Sequence, residues 1–71
     1  MDAMAYFNRG YAKYLCSDFK GAIADYNKAI KLEPKFIEAY YSRSIAKRRI
    51  GSHKSAVIDY NKAEKLSRKE I

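Results

Sequence analysis

Apolar side chains recur along the chain at intervals of three and four residues, the period of an amphipathic helix that packs on one side. The clearest stripe lies in the middle of the chain and consists of Phe19, Ala22, Ile23, Tyr26, Ala29 and Ile30. Asp18 precedes this stripe as a suitable N-cap, and Pro34 follows it as a helix stop. No segment shows the alternation of apolar and polar residues that marks a half-buried strand. The pattern therefore predicts an all-α chain.

The sequence repeats itself with a period of 34 residues. Of the 34 residue pairs from 1/35 to 34/68, 14 are identical, against about two expected if about one pair in twenty matches by chance. The longest identical run is Asp-Tyr-Asn-Lys-Ala, at residues 25–29 and again at 59–63. The central helix therefore has a twin, whose stripe is His53, Ala56, Val57, Tyr60 and Ala63.

Each repeat predicts a helical hairpin. A further helix precedes each stripe, over about residues 3–16 and about residues 37–50, and short polar turns at Ser17-Asp18 and Gly51-Ser52 connect the two helices of each pair. Gly51 suits the left-handed backbone that often ends a helix, and Ser52 suits the N-cap of the last helix. We predict four helices in two antiparallel pairs, in a single domain over residues 1–71 with repeats at about 3–36 and about 37–70.

The residues at these positions resemble the tetratricopeptide repeat family. The first copy carries Tyr6-x2-Arg9-Gly10, Ala22-x3-Tyr26, Ala29 and Pro34, and the second carries Tyr40-x2-Arg43-Ser44, Ala56-x3-Tyr60 and Ala63. Small residues let the two helices of a hairpin approach closely, while aromatic rings fill the space around them. The resemblance implies a short right-handed α-solenoid, or α-α superhelix, whose first helices line a concave groove for an extended or helical peptide.

Several positions depart from the family pattern. Arg9 and Arg43 replace a leucine, Lys13 and Lys47 stand where tyrosine is common, Ser44 replaces glycine and Arg68 replaces proline. We expect the long stems of these Arg and Lys side chains to cover apolar surface. Some members clamp chaperone tails with charged groove residues; Asn8 matches one such position, but the companion positions hold Phe7, Tyr11, Glu38 and Ser42. Chaperone-tail binding is therefore not expected.

The first helix of each repeat carries a second stripe, which the resemblance places in the groove. It reads Met4, Phe7, Tyr11, Tyr14 and Leu15 in the first repeat and Glu38, Tyr41, Ile45, Arg48 and Arg49 in the second. Aromatic and arginine side chains make good interface anchors. We predict that an acidic peptide or partner protein with apolar anchors binds to Phe7, Tyr11, Tyr14, Leu15, Tyr41, Ile45, Arg48 and Arg49. Two alternatives stay open: the first stripe meets another copy of itself, and the arginines form only a solvated helix end.

Two repeats are few for such a fold, because a repeat cannot bury its apolar faces alone and about three or more are normally needed. The five residues after Leu66 are too few for a capping helix. Glu64 in place of Ile30 suggests that one side faces water, whereas Ile58 in place of Ala24 adds an apolar group. We expect the apolar Phe7, Tyr11, Tyr14, Leu15 and Ile58 to be uncovered within one chain, and we expect a second chain to cover them in a symmetric homodimer, unless the sequence is an excerpt from a longer array.

The charge of the chain opens a second class of function. Lys and Arg number 15 against 8 Asp and Glu, a net charge of +7, and residues 37–71 carry nine of the basic and four of the acidic groups. Together with seven tyrosines, this charge can hold single-stranded nucleic acid by stacking and ion pairing. No nucleic-acid motif accompanies it, and Tyr6, Tyr26, Tyr40 and Tyr60 are assigned to the core. A protein-interaction module is therefore preferred over the alternative of a basic nucleic-acid-binding module.

Catalytic and metal chemistry find little support. Cys16 aligns with an isoleucine of the other copy and is predicted to be a buried thiol, and His53 aligns with a phenylalanine and is predicted to be a packed core aromatic. Asp25 and Asp59 are assigned to solvated helix faces. The sequence has no Gly-rich phosphate loop and no metal-ligand spacing. We expect a non-enzymatic chain without a cofactor.

The sequence also bears on location. No apolar stretch approaches the roughly 20 residues of a membrane span, and Met1-Asp2-Ala3-Met4 lacks the basic start and apolar run of a secretory signal. The single cysteine cannot form an internal disulfide. We therefore expect a reducing, cytoplasmic setting.

Overall fold

The computed structural model describes residues 1–69, which form helices joined by short turns. The helices are α1 Ala3–Leu15, α2 Phe19–Leu32, α3 Ile37–Arg49 and α4 His53–Lys69, and no strand occurs in residues 1–69. The predicted all-α class with two helical hairpins is confirmed. The first helix of each hairpin ends one residue earlier than predicted. The predicted end of the second repeat, at residue 70, lies outside the described residues.

Aspartates cap both helices of the first repeat. The Asp2 carboxylate accepts a hydrogen bond from the Ala5 amide at 2.8 Å, and the Asp18 carboxylate accepts one from the Gly21 amide at 3.0 Å. Each bond satisfies a backbone donor at the helix start, where no helical carbonyl is available. The prediction for Asp18 is confirmed, and Asp2 is a second cap of the same kind.

A residue with left-handed backbone follows the first helix of each hairpin. It is Ser17 after α1, with φ of 64°, and Gly51 after α3, with φ of 85°. The amide of the next residue donates to a carbonyl five positions back, at 2.8 Å in the first repeat and 2.9 Å in the second. This bond pattern closes the helix end and reverses the chain. Glycine adopts the conformation without steric cost, so the prediction for Gly51 is confirmed.

Alanines bring the helices close together. Helix α1 packs against α2, α2 against α3, and α3 against α4. The fully buried alanines are Ala22, Ala29, Ala39, Ala46, Ala56 and Ala63. Small side chains at the contacts let the helix backbones approach, as the sequence predicts.

The closest approach between α1 and α2 is at Gly10. A Cβ atom there would lie 2.8 Å from Cε1 of Tyr26 and 3.1 Å from the carbonyl oxygen of Ala22. The first distance is well below van der Waals contact, so glycine is needed while Tyr26 keeps its place. Ser44 holds the equivalent position in the second repeat, where its hydroxyl donates to the Tyr41 carbonyl at 2.6 Å.

The core lies where α1, α2 and α3 meet. Its centre is Tyr26, which is 1% exposed. Around it lie Ala22, Ala46, Phe7, Tyr14 and Ile23. Tyr60 is the twin of Tyr26 but is 49% exposed, because within residues 1–69 no helix packs on α4 in the way that α3 packs on α2. The core role predicted for Tyr60 is therefore wrong.

Two further predictions about packing are also wrong. His53 is exposed, although its twin Phe19 is half-buried. Phe19 is covered because the Tyr14 ring and the Arg49 guanidinium lie against it; in the second repeat an arginine replaces that tyrosine. Cys16 is exposed because it is the residue that ends α1 at the surface turn.

Candidate functional site

Two of the predicted binding residues on α1 pack into the fold. The centre of the Phe7 ring lies 5.6 Å from that of Tyr26 and 5.0 Å from that of Phe36, just before α3. Tyr14 meets Phe19 edge-on at 5.4 Å. Both side chains are half-buried. The expectation that the whole stripe is uncovered is therefore wrong for Phe7 and Tyr14, whose rings hold α1 in place.

The other predicted residues of α1 and most of those of α3 remain at the surface. The exposed side chains are Tyr11, Leu15, Ile45, Arg48 and Arg49. The Arg49 guanidinium lies 5.4 Å from the centre of the Phe19 ring, so it reaches from the second repeat toward the first. In the part of the chain that the structure describes, neither Arg48 nor Arg49 forms an ion pair.

Tyr41 is the predicted binding residue that is tied to α4. Its hydroxyl donates to Oε1 of Glu64 at 2.5 Å, and its ring meets Tyr60 edge-on at 5.5 Å. The hydrogen bond to Glu64, partial burial and the negative charge of Glu64 raise the pKa of Tyr41 to about 12. The expectation that Glu64 simply faces water is wrong, because its side chain is half-buried and folds back onto α3.

Helices α1 and α3 both pack against the buried Tyr26 and contact each other. Burial raises the pKa of Tyr26. The first helices of both repeats therefore contribute to one surface, with the exposed Tyr11 on it.

An open cavity of about 290 Å³ lies at the edge of the second repeat. Its lining residues are Ser44, Arg48, Ala56, Val57 and Tyr60. Val57 and Tyr60 are each about half exposed. The sequence does not indicate that these two residues are exposed, because both align with packed residues of the first repeat.

The first repeat also contains a buried carboxylate that the sequence does not predict. Nε and Nη2 of Arg9 donate to Oδ2 and Oδ1 of Asp25 at 2.9 and 2.8 Å, and Nζ of Lys13 lies 3.2 Å from Oδ2. Asp25 is 2% exposed. Its assignment to a solvated helix face is wrong, since it lies between α1 and α2 with two cations.

The second repeat contains the same cluster. Nε and Nη2 of Arg43 donate to Oδ2 and Oδ1 of Asp59 at 2.8 and 2.6 Å, and Nζ of Lys47 lies 2.8 Å from Oδ2. Lys47 also donates to the Ser55 hydroxyl at 2.7 Å. Nη1 of Arg43 donates to Oδ1 of Asn27 at 2.9 Å, which links the two repeats. Asp59 is buried like Asp25, so its assignment to a solvated face is wrong as well.

Both carboxylates are stabilised in the ionised form. The hydrogen bond from Arg9 lowers the pKa of Asp25, against the effect of burial. For Asp59, burial is the largest single influence and raises the pKa, but the hydrogen bonds and charges of Arg43 and Lys47 together outweigh it and leave the pKa lowered. A two-pronged arginine contact is among the strongest hydrogen-bonded pairs in proteins. These clusters hold each hairpin together.

The sequence contains a signal for the clusters in the recurrence of Arg9, Lys13 and Asp25 at an interval of 34 residues. These clusters also explain why Arg and Lys depart from the family pattern at their positions. The charged ends of these side chains pair with a carboxylate of the facing helix, beyond the covering of apolar surface that the sequence predicts.

Within residues 1–69, no group of three or more His, Cys, Asp and Glu side chains is placed to hold a metal ion. None of the helices in this range is both long enough and apolar enough to cross a membrane.

Two stacked helical hairpins related by a 34-residue repeat define an α-helical repeat protein. Sequence models of the tetratricopeptide repeat match residues 3–36 and residues 37–70. The chain belongs to the tetratricopeptide repeat family and contains two tandem repeats. Among curated proteins, no sequence matches it. Repeats of this family are generally protein–protein interaction modules that serve as non-catalytic scaffolds.

Proposed function

We propose that the chain binds a segment of a partner protein across the exposed side of α1 and α3. We call this the groove surface and define it as Tyr11, Leu15, Ile45, Arg48 and Arg49. The segment is acidic and carries one or two apolar side chains. Phe7, Tyr14 and Tyr41, which sequence analysis includes in the site, support the groove surface from the packed side.

The observation that carries this proposal is which Arg and Lys side chains of α1 and α3 form ion pairs with aspartates and which do not. These helices contain six Arg and Lys residues. Four of them, two in each repeat, are paired with the buried aspartates. The two that form no ion pair among the described residues, Arg48 and Arg49, lie one turn beyond the exposed Ile45. Apolar side chains beside unpaired arginines favour an acidic ligand with apolar anchors.

The two kinds of side chain have different roles in this proposal. Tyr11 supplies apolar contact with little loss of conformational entropy, because its ring has only two rotatable bonds. Arg48 and Arg49 attract and orient the acidic segment, so they act mainly on the association rate. Removing one kind should therefore change binding differently from removing the other.

A panel of fluorescent peptides of equal length tests the proposal. The peptides carry two leucine or phenylalanine anchors and differ only in having Glu or Lys at the remaining charged positions, and binding is followed by anisotropy and stopped flow. We expect the acidic peptides to bind more tightly. Tyr11→Ala should weaken binding at all salt concentrations by about 1–2 kcal/mol. Arg48→Glu with Arg49→Glu should slow association and flatten the salt dependence.

Lys62→Glu with Lys65→Glu is the matched control, because it makes the same change in charge at two exposed lysines of α4. The control should retain the affinity for acidic peptides. Equal losses in both double variants would mean that net charge, and not the groove surface, attracts the peptide. A single-stranded oligonucleotide that binds more tightly than any peptide, with a steep salt dependence, would favour the nucleic-acid alternative instead.

Self-association is the second part of the proposal. Its support is the exposed apolar side chains on the two outer helices, Met4 on α1 and Val57 on α4, each of which is more than half exposed. Soluble monomers rarely leave contiguous apolar patches in water. Sedimentation over a wide range of concentrations measures it directly. A monomer at every concentration would contradict this part while leaving the peptide-binding part in place.

A further inference from the structure

The cavity at the edge of the second repeat is the open counterpart of the core of the first repeat. Its lining residues are Ser44, Arg48, Ala56, Val57 and Tyr60. Subtracting 34 from each number gives Gly10, Tyr14, Ala22, Ile23 and Tyr26. Four of these five residues belong to, or pack against, the core cluster, and the fifth, Gly10, lies against the Tyr26 ring. The cavity therefore lies in the second repeat where the first repeat has a filled site.

The residue that fills the site in the first repeat comes from α3. Ala46 is fully buried in the cluster with Ala22 and Tyr26. Its twin on α1 is Ala12, which is exposed. Helix α1 thus carries the same small residue that α3 inserts between the helices of the first repeat, and nothing in residues 1–69 covers it.

The arginine one turn before this alanine is likewise more exposed on α1 than on α3. The side chain of Arg43 on α3 is 17% exposed, whereas that of its twin Arg9 on α1 is 49% exposed. Both make the two-pronged contact with the aspartate of their own repeat. The difference arises because α3 lies against α2, while within residues 1–69 no helix packs on the corresponding side of α1.

One hydrogen bond crosses the contact between the two repeats, and both of its residues have a twin 34 positions away. Nη1 of Arg43 donates to Oδ1 of Asn27 at 2.9 Å. The twins of these residues are Arg9 and Asn61. Asn61 is exposed on α4, and the hydrogen bonds of Arg9 within residues 1–69 use Nε and Nη2 but leave Nη1 available.

We propose that copies of this chain associate head to tail, with α1 of one copy packed on α4 of the next in the way that α3 packs on α2 within each copy. Ala12 of one copy enters the cavity beside Val57 and Tyr60 of its neighbour. Arg9 donates to Asn61 of the neighbour. This inference rests on the self-association part of the proposed function and replaces the symmetric arrangement by one in which two different faces meet.

Contact between different faces has a consequence for assembly size. Each copy still has one open face of each kind after it has bound a neighbour, so association continues beyond a dimer unless a ring closes. The new contact is not identical to the internal one, because Glu64 stands where the first repeat has Ile30. A carboxylate near the contact weakens it relative to the internal interface, so assembly requires high protein concentration.

Two variants each remove one face. Ala12→Glu places a charge on the α1 face, and Val57→Asp places one in the α4 face. Both positions are exposed within a single copy, so the fold is retained, which far-ultraviolet circular dichroism checks. Ala24→Glu and Ile58→Asp are the matched controls, because they make equivalent changes at exposed positions outside the cavity and outside its twin. Ala12→Lys and Val57→Lys take the place of any variant that loses helicity.

Sedimentation of the separate and mixed variants decides the arrangement. We expect the mass of the wild-type chain and of both controls to increase continuously with concentration, beyond that of a dimer. Each face variant alone should associate at least about tenfold more weakly than the wild-type chain. An equal mixture of Ala12→Glu and Val57→Asp should form dimers and nothing larger, because each supplies the face that the other lacks.

Four results would overturn the inference. A monomeric wild-type chain removes self-association altogether. Association of both face variants at wild-type strength shows that the chain self-associates through another surface. Folded variants whose mixture stays monomeric show that the two faces do not meet, and loss of association in Val57→Asp alone indicates symmetric pairing of α4. Peptide binding by monomeric Val57→Asp is measured separately, so failure of the groove surface and failure of this inference are distinguishable.

Discussion

Arg43 donates two hydrogen bonds of 2.8 and 2.6 Å to the carboxylate of Asp59, and a third bond from the same guanidinium reaches Asn27 in the preceding repeat. One side chain therefore neutralises the buried carboxylate of its own hairpin and connects that hairpin to its neighbour. Arg9 makes the equivalent pair with Asp25 but has no preceding repeat within the described residues to contact.

Removing the arginine should be more harmful in the second repeat. Arg43→Ala leaves the buried Asp59 with Lys47 as its remaining cation and also breaks the link to Asn27, so we expect a loss of about 3 kcal/mol in the free energy of unfolding. Urea denaturation followed by circular dichroism measures it. Arg9→Ala is the matched change and should give a clearly smaller loss, because Arg9 is more exposed and the contact with water already screens it. Equal losses would show that the Asn27 link and the deeper burial of Arg43 contribute nothing.

Acid should destabilise the fold through Asp25 and Asp59. Their folded-state pKa values lie below the ordinary value of 3.8, so as pH falls past that value the unfolded chain binds more protons and the folded state loses stability. The contribution is complete above about pH 5 and disappears as pH falls through the folded-state values. We expect the urea midpoint to drop steeply below about pH 4. In Asp25→Asn with Asp59→Asn, the midpoint should be lower at neutral pH but should change less over the same acid range.

Gly10 should not tolerate even one added methyl group. Gly10→Ala gains about 1 kcal/mol in helix propensity, but its Cβ would strike the Tyr26 ring, and overpacking of this kind costs about 1–3 kcal/mol. We expect a net loss of stability, reduced when Tyr26→Leu is present to make room. Ser44→Ala is the control, because that position already carries a Cβ. Its loss should be near the value of one hydrogen bond, about 1 kcal/mol. A stabilised Gly10→Ala would mean that α1 and α2 are farther apart.

Tyr41 should ionise at a higher pH than an ordinary tyrosine. The hydrogen bond to Glu64 raises the pKa of Tyr41 from 10.0 to about 12, so the folded chain retains a proton that the unfolded chain has released, and this stabilisation is lost as pH rises through that interval. The tyrosinate absorbance of the wild-type chain minus that of Tyr41→Phe isolates the transition. In Glu64→Ala, it should move back toward 10.0. A transition that stays near 12 in that variant would assign the shift to burial.

The helices and hairpins follow from local patterns, which is why the sequence predicts them well. The spacing of Ala22 and Tyr26 determines which side of α2 packs, and the cap at Asp18 and the turn at Gly51 act through bonds to nearby backbone. The 34-residue repeat strengthens the prediction because each copy confirms the other.

Burial and surface chemistry depend on neighbours from other helices and are harder to predict. Asp25 is charged, and its sequence position predicts a solvated side chain, yet its partner Arg9 lies 16 residues away on the facing helix and makes burial favourable. Alignment of the two repeats also mispredicts burial at the side of α4 on which no further helix packs within the described residues. Tyr60 occupies the same position as Tyr26, but its exposure depends on whether a third layer of helix lies against it. The predicted groove residues divide in the same way, since the Phe7 ring turns inward to meet Phe36.

The charge clusters described above stay within single repeats. Asp25 is neutralised by Arg9 and Lys13, and Asp59 by Arg43 and Lys47, so no buried aspartate depends on a cation from the other unit. The bond that crosses between the units ends on Asn27, a neutral acceptor. A gene segment encoding one unit can therefore be duplicated, deleted or moved without leaving an uncompensated charge in an apolar interior. The internal ion cluster makes each 34-residue unit a portable part, suited to growth of an array by tandem duplication.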